Sequence, residues 1–556
     1  MVSTEHNLIK LVCIMKVIKK VFFALSFLFA GMIAGVSCSD DSNNEGTSVQ
    51  EINGITEQET IEVVDSGRVT WHDHFEKMIR EAQSSNADED DVMLTFAQEQ
   101  LEKVDSIDNA NLESMGANGA DGNDGKNRLI GYKWVTIRYQ SVDCNNNPIT
   151  LSELVVFPYN NIFANPHPDN LIIGCHITIT ANRERPTNYY DNSLMSDVGM
   201  LALHASSNMT GADHENLVVI PDYQGYGVSA SDVHPYLYQK LTARQVVDGA
   251  NAGVKWFTSN EKSMENDWKS ISVGYSQGGS VAMAVHRYIE ENNLADQLRF
   301  RGSICGDGPY DPVATLKEYI NQDRLYMPVA LALIIKGMCD ANPYVVGKYT
   351  PSDYFTDGFV STGILDKIAS KNYSATEIQQ SLVDYSGEGK NFTMMLKTED
   401  GEYKPYTAST KSSYSWVLCS KSEACYAEVS QVLRPEVIEY FKNGSTSSEY
   451  GEKMKALENA LEMNNLTLSW QPQHPLVAFH SKKDEVVPFV NYEKASDRFY
   501  NSNFKGMQYD SKTYTHVGTG SSFFAIYEGP LSKKLLNNSW QSWGHDNDIY
   551  TLAGLW

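Results

Sequence analysis

Gly274-Tyr275-Ser276-Gln277-Gly278 is the stretch on which the fold turns. Before it, Ser270-Ile271-Ser272-Val273 suits a short buried strand. After it, Gly279-Ser280-Val281-Ala282-Met283-Ala284-Val285 opens a helix whose small residues allow close approach to a sheet. A serine at such a strand-to-helix turn projects its hydroxyl outward. The amides that open the helix lie where negative charge would develop on an attacked carbonyl. Ser276 is therefore the candidate nucleophile. G-x-S-x-G alone recurs by chance, and it is the flanking strand and helix that give this match its weight.

Outward from the turn, strand and helix signals alternate. Tyr132 to Tyr139 and Leu151 to Phe157 predict two strands joined by the turn-rich Cys144-Asn145-Asn146-Asn147-Pro148. Leu171 to Ile177 and Leu217 to Ile220 predict buried strands, and a helix from about Ala243 to Phe257 leads into the nucleophile strand. Arg299 to Cys305 predicts one more strand, yet the next, Leu476-Val477-Ala478-Phe479-His480, lies far downstream. The interval from about 313 to 470 is too long for a loop and carries helical patterns such as Met327 to Met338 and Pro435 to Lys442. It predicts a mainly helical cap over the strand ends. The apolar run Tyr326 to Met338 is short and interrupted by Lys336, so it reads as cap core and not as a membrane span. The whole pattern predicts an α/β fold, a mostly parallel sheet with helices on both faces.

A serine hydroxyl is a weak nucleophile. It needs an imidazole to accept its proton and a carboxylate to hold that imidazole. Asp484 follows the strand Pro475 to His480, in a loop at its carboxyl end, and is the candidate acid. Asp307, after the preceding strand, is its rival, and Glu485 points away if Asp484 faces inward. His516 follows the strand-like Gly506 to Tyr514 and is the candidate base, with His545 in Trp543-Gly544-His545-Asp546 as rival. These choices keep the order Ser, acid, His. His72 and His74 form a close pair, but without further ligand spacing they read as solvent-facing and not as metal ligands. The chemistry calls for no cofactor and no metal.

This order of elements resembles the α/β-hydrolase superfamily, and in particular the secretory lipase group related to fungal lipase A. The resemblance covers about residues 129 to 556. It rests on Tyr139-Gln140-Ser141-Val142-Asp143, on Pro221-Asp222-Tyr223 with Gly225 and Gly227, on Gly274-Tyr275-Ser276-Gln277-Gly278-Gly279, and on Asp484 with Val487-Pro488. It implies an α/β-hydrolase sheet, a cap inserted before Asp484, and cleavage of carboxylic esters. It also implies an oxyanion hole built from the Gln277 amide and a second amide after the third strand. Where the family carries a His-Gly pair there, this chain has His176-Ile177. His176, Ile177 and Thr178 are then all candidates for the second donor, with a buried structural His176 as the alternative. Asp222 is expected to order its own loop.

With 556 residues, 42% hydrophobic and 21% charged, the chain has the composition of a globular protein and can hold more than one domain. A formal net charge of -25 repels phosphate backbones, which argues against nucleic acid as a partner. Lys16, Lys19 and Lys20 precede an apolar run from Val21 to Val36 and then Ser37-Cys38. This resembles a bacterial lipoprotein signal, which implies a lipid anchor on Cys38 and a place in the cell envelope. Gly35 stands where that family has a large aliphatic residue, and an ordinary cleaved signal is the alternative. Beyond it lie Cys144, Cys175, Cys305, Cys339, Cys419 and Cys425. Cys419 and Cys425 are close enough to close a small loop, while Cys175 and Cys305 sit in apolar strands as buried thiols would. Ala117 to Gly125 reads as a flexible linker, since the spacing of a calcium loop is missing.

The expected organisation is a signal at 1–37, an acidic region and linker at 38–128, a hydrolase core at 129–312, a cap at 313–470 and the rest of the core at 471–556. The expected function is an esterase or lipase acting on a small-molecule, lipid or glycan ester. A serine peptidase on the same fold, or a lipoprotein that binds glycan or lipid without turnover, are the alternatives.

Overall fold

The computed structural model describes residues 61–84, 129–160, 167–205 and 215–509, less 195, 388, 399–400, 407–423 and 445–447. It also describes scattered positions between 91 and 105, and His516, Phe523, Leu531, Ser532, Leu535 and Leu536. The signal with Cys38, the 117–125 stretch, Cys419 and His545 lie outside the described residues.

A nine-stranded sheet organises the chain. Its strands are β1 (Glu62–Thr70), β2 (Leu129–Val142), β3 (Pro148–Asn160), β4 (Asn170–Cys175), β5 (Asn216–Pro221), β6 (Lys269–Tyr275) and β7 (Phe300–Gly306). After a smaller sheet of β8 (Met394–Lys397), β9 (Tyr403–Pro405) and β10 (Cys425–Ala427), it is completed by β11 (Leu476–Ser481) and β12 (Phe504–Tyr509). Across the large sheet the order is β1-β2-β3-β5-β4-β6-β7-β11-β12. The first four strands pair antiparallel, and from β5 to β12 every neighbour is parallel.

Every residue of β4, β5 and β11 is buried, because helices cover both faces and these central strands have no solvent side. Alternate residues serve opposite cores. Ile172, Val218, Val273, Ile304 and Val477 face a cluster with Trp71, Phe75 and Met78 of the helix Trp71–Ser84. Leu171, Val219, Cys305 and Ala478 face the other, with Val246 and Ala250 of the helix Gln239–Asn260 and Val281 and Val285 of the helix Gln277–Glu291. Each fully buried aliphatic side chain contributes about 1.5–3 kcal/mol.

The region before residue 129 is built into this sheet. β1 runs antiparallel along β2, from Glu62 opposite Arg138 to Thr70 opposite Gly131. Its residues Glu62 to Arg68 are mostly exposed, so the strand carries no apolar alternation by which the sequence could reveal it. The helix that follows runs from Trp71 to Ser84, with further helical positions around residues 94 to 105. His74 is not solvent-facing as expected. It is fully buried, with Nδ1 2.8 Å from the Tyr132 hydroxyl, which lies 2.9 Å from that of Tyr189.

Between β7 and β11 the chain forms helices, including Pro312–Gln322, Pro328–Ala341, Ala375–Tyr385, Pro435–Asn443 and Ser448–Met463, and the small sheet. They enclose their own core around Ile335, Tyr354, Phe359, Leu382 and Leu457. Residues 328–338 of the apolar run fall in the second of these helices and are mostly buried there. No helix among the described residues is long and apolar enough to cross a membrane. The Asn182 amide meets the Lys371 carbonyl at 2.7 Å and the Thr180 hydroxyl meets that of Tyr373 at 2.7 Å, which seats this segment on the chain after β4. Cys144, Cys175, Cys305 and Cys339 are free thiols.

One buried carboxylate joins two parts of the core. Glu290, near the end of the helix Gln277–Glu291, accepts from the Gln473 and His474 amides at 2.9 and 2.8 Å. It also accepts from His286 Nε2 at 2.9 Å, His474 Nδ1 at 2.8 Å and the Trp470 indole at 2.9 Å. Burial pushes its carboxyl up, but the donors outweigh burial and hold it far below the usual carboxylate range. The helix behind the elbow serine is thereby fixed to the chain entering β11.

Candidate active site

β6 ends at Tyr275, and the helix Gln277–Glu291 begins one residue beyond Ser276. Ser276 itself has φ 56° and ψ -123°, a backbone that side-chain-bearing residues seldom adopt and that aims its hydroxyl out of the turn. The turn is tight because its glycines lie against neighbouring strands. A methyl group on Gly278 would come 2.0 Å from the Cys175 carbonyl at the end of β4, and one on Gly279 2.2 Å from that of Gly306 at the end of β7.

His516 Nε2 lies 3.0 Å from Ser276 Oγ, and His516 Nδ1 lies 2.5 Å from Asp484 Oδ2. The three residues picked from the sequence therefore meet. Asp484 is oriented by its own turn, since Oδ1 accepts from the Val486 and Val487 amides at 2.8 and 2.7 Å. With Nδ1 donating to Asp484, Nε2 is the acceptor facing the serine. Burial lowers the proton affinity of His516, but the charge and hydrogen bond of Asp484, with Asp307 and Glu485 adding, raise its pKa to about 9.

Two residues that the sequence did not single out for it grip the backbone of His516. The Glu485 carboxylate accepts from the His516 amide at 3.0 Å, and the Tyr275 hydroxyl lies 2.8 Å from the His516 carbonyl. Asp307, the rival acid, bonds Tyr275 and the Ser481 amide and makes no hydrogen bond to the imidazole. No sequence signal marks these contacts, because they join residues up to 241 positions apart.

Gln277 opens the elbow helix. Its side-chain Nε2 lies 3.4 Å from His234 Nε2, while His234 Nδ1 lies 2.7 Å from the Gln224 carbonyl. His176 caps β4 in full burial, stacked on Tyr223 with ring centroids 4.0 Å apart and Nδ1 2.6 Å from the Ile177 carbonyl. The Ile177 amide donates to Asp197 at 2.7 Å, so of the three amides considered for a second oxyanion donor this one is already engaged. Asp222 reaches beyond its own loop and accepts from Ser152 Oγ at 2.5 Å and from the Thr187 amide at 2.8 Å.

Burial lowers the pKa of His74 and His234 to about 3 and of His176 to about 4. Their unfolded counterparts bind protons below about 6.5, so the stability tied to neutral rings is complete above that pH and is lost as pH falls. Imidazole NMR at pH 5 is expected to find all three rings neutral. A ring that titrates near its unperturbed value would contradict this account of its burial.

The strand order, the serine at the β6 turn, the acid after β11 and the histidine beyond β12 together define an α/β-hydrolase fold. Solved structures agree. LipA, a rice cell wall degrading esterase from Xanthomonas oryzae, superposes with TM-score 0.52 at 18% identity, over 74% of this chain and 92% of that one. A protein from Legionella pneumophila superposes with TM-score 0.52 at 16% identity, over 75% and 91%. No protein-family model and no curated protein matches the sequence.

Proposed function

We propose that the protein is an exported, lipid-anchored serine hydrolase that cleaves carboxylic esters through Ser276, His516 and Asp484. The observation that carries this reading is the continuous hydrogen-bonded line Ser276–His516–Asp484 at a strained elbow. Ser276 Oγ attacks the ester carbonyl as its proton passes to His516 Nε2, and Asp484 stabilises the imidazolium. The oxyanion of the tetrahedral intermediate is held by the Gln277 amide, with the His176 or Thr178 amide as second donor. Collapse breaks the carbon–oxygen bond to the alcohol, which leaves with the proton from Nε2. Water then attacks the acyl-enzyme in the same way, releasing the acid and restoring the serine. Residues 313–470 serve as the cap that shapes the acyl and alcohol pockets. Cys38 carries the anchor behind a signal at 1–37, which places the enzyme in the bacterial cell envelope.

Two measurements test the reading. A fluorophosphonate is expected to label the folded protein at Ser276, and p-nitrophenyl esters from acetate to long acyl chains are expected to turn over, with the chain-length optimum separating esterase from lipase. Labelling without ester turnover would favour a peptidase. A well-folded protein inert to both would be a binding protein on a hydrolase fold.

A further inference from the structure

Tyr275, the residue before the serine, has one hydroxyl proton and two acceptors in reach. Its oxygen is in hydrogen-bond contact with Asp307 Oδ2 and lies 2.8 Å from the His516 carbonyl. Were Asp307 ionised, the single proton could serve only one of these oxygens. Both bonds form together when Asp307 carries a proton on Oδ2 and donates to the phenol oxygen, leaving the phenol proton for the carbonyl. Asp307 Oδ1 is then the bare oxygen that accepts from the Ser481 amide at 2.8 Å.

The neighbouring histidine leads to the same assignment. His480 Nε2 lies 3.0 Å from the Val487 carbonyl and so bears a proton. His480 Nδ1 is 3.6 Å from Asp307 Oδ1 and has no hydrogen-bond partner among the described residues. A second proton there would make it a buried donor without an acceptor at bonding distance, which is costly. Between the two side chains the remaining proton belongs on Asp307.

The needs of the base agree as well. Asp484, Glu485 and Asp307 all act on His516, and an imidazole that already holds a proton cannot take one from Ser276. Neutralising one carboxyl lowers that surplus without disturbing the Asp484 bond. Around Asp307 the titratable groups are Tyr275 from β6, His480 from β11, Asp484 beyond it, His516, and Tyr310 from the chain after β7. Burial raises the proton affinity of Asp307, against the pull of His480.

We propose that Asp307 is a positioning residue that works in its protonated form, donating to Tyr275 so that Tyr275 can hold the backbone carbonyl of His516. The proposal rests on the reading of Ser276 and His516 as nucleophile and base. With Glu485 on the amide and Tyr275 on the carbonyl, His516 is held on both sides of its Cα, and Asp307 supplies the proton that completes the second hold.

The test is the pH dependence of kcat/KM for p-nitrophenyl butyrate in wild type, Asp307→Asn and Tyr275→Phe. Asparagine keeps a neutral donor where the protonated acid stood. The acid limb of its profile is therefore expected within about 0.3 pH unit of wild type, and kcat within about threefold. Tyr275→Phe is expected to lower kcat about tenfold at unchanged KM, because only the hold on His516 is lost. An acid limb that moves down by about a unit in Asp307→Asn would mean a charged carboxylate in wild type and overturns the proposal. So does a loss as large as that of Asp484→Asn, or a Tyr275→Phe indistinguishable from wild type. If wild type neither turns over nor labels, the hydrolase reading fails, and NMR titration of His516 in wild type and Asp307→Asn still decides. Equal values are expected there, and a fall of about a unit overturns the assignment.

Discussion

His516→Ala and Ser276→Ala are each expected to lower kcat by about 10⁶, and Asp484→Asn by about 10⁴. The ranking follows the contacts. In the proposed mechanism Ser276 forms the covalent bond and His516, 3.0 Å away, carries its proton, whereas Asp484 acts one bond further out by fixing the tautomer across 2.5 Å. Because the three act as a unit, the Ser276→Ala/His516→Ala double variant is expected to be no slower than either single one. His545→Ala is expected to stay active. Steady-state ester hydrolysis with circular dichroism as a check on folding measures all of these. A chain that loses turnover with His545→Ala and keeps it with His516→Ala would transfer the base to the other histidine.

Glu290→Ala is expected to cost about 3–5 kcal/mol of stability, since each buried donor left without its acceptor costs about 1–3 kcal/mol. Five donors converge on that carboxylate, and alanine leaves the Gln473 and His474 amides, two imidazoles and the Trp470 indole without their acceptor. Urea unfolding at pH 7.5 reads the loss, and a change under about 1 kcal/mol would show that water replaces the carboxylate at little cost. The Glu290 carboxyl is depressed by these donors. The contribution is present above the ordinary carboxylate range and is lost as pH falls through the lower folded value, so between pH 5 and 8 it is flat. The buried histidines supply the slope in that window, because their stability drains away below about 6.5.

The central sheet and the residues that meet at its strand ends were legible in the sequence for a physical reason. β4, β5, β6 and β11 are buried on both faces and so read as apolar runs, and Ser276, Asp484 and His516 stand at or beyond strand ends. What stayed hidden has no local signature. β1 is polar because it is an edge, and Glu62 to Arg68 gain little from apolar side chains there. The Ile177 amide looked available until the fold brought Asp197 to it from 20 residues away. Neighbours on an extended chain point apart, yet in this turn the Asp484 and Glu485 carboxylates both reach His516, one at the ring and one at the amide. Tyr275 passed unnoticed because its value lies in the hydroxyl, which meets Asp307 and His516 only after β6, β7 and the base segment have converged.

The edge strand also bears on how the protein could be produced in isolation. A truncation that starts at residue 129, where the strand-and-helix rhythm begins, would discard β1 and leave β2, 14 residues long, as the outermost strand with one row of backbone amides and carbonyls bare. It would also uncover Tyr132 and Trp134, which the helix Trp71–Ser84 and its neighbours shelter. Such a flat, sticky border invites pairing between molecules and precipitation. A fragment that keeps the sheet intact has to begin upstream of Glu62, because β1 guards the edge of β2 against self-association.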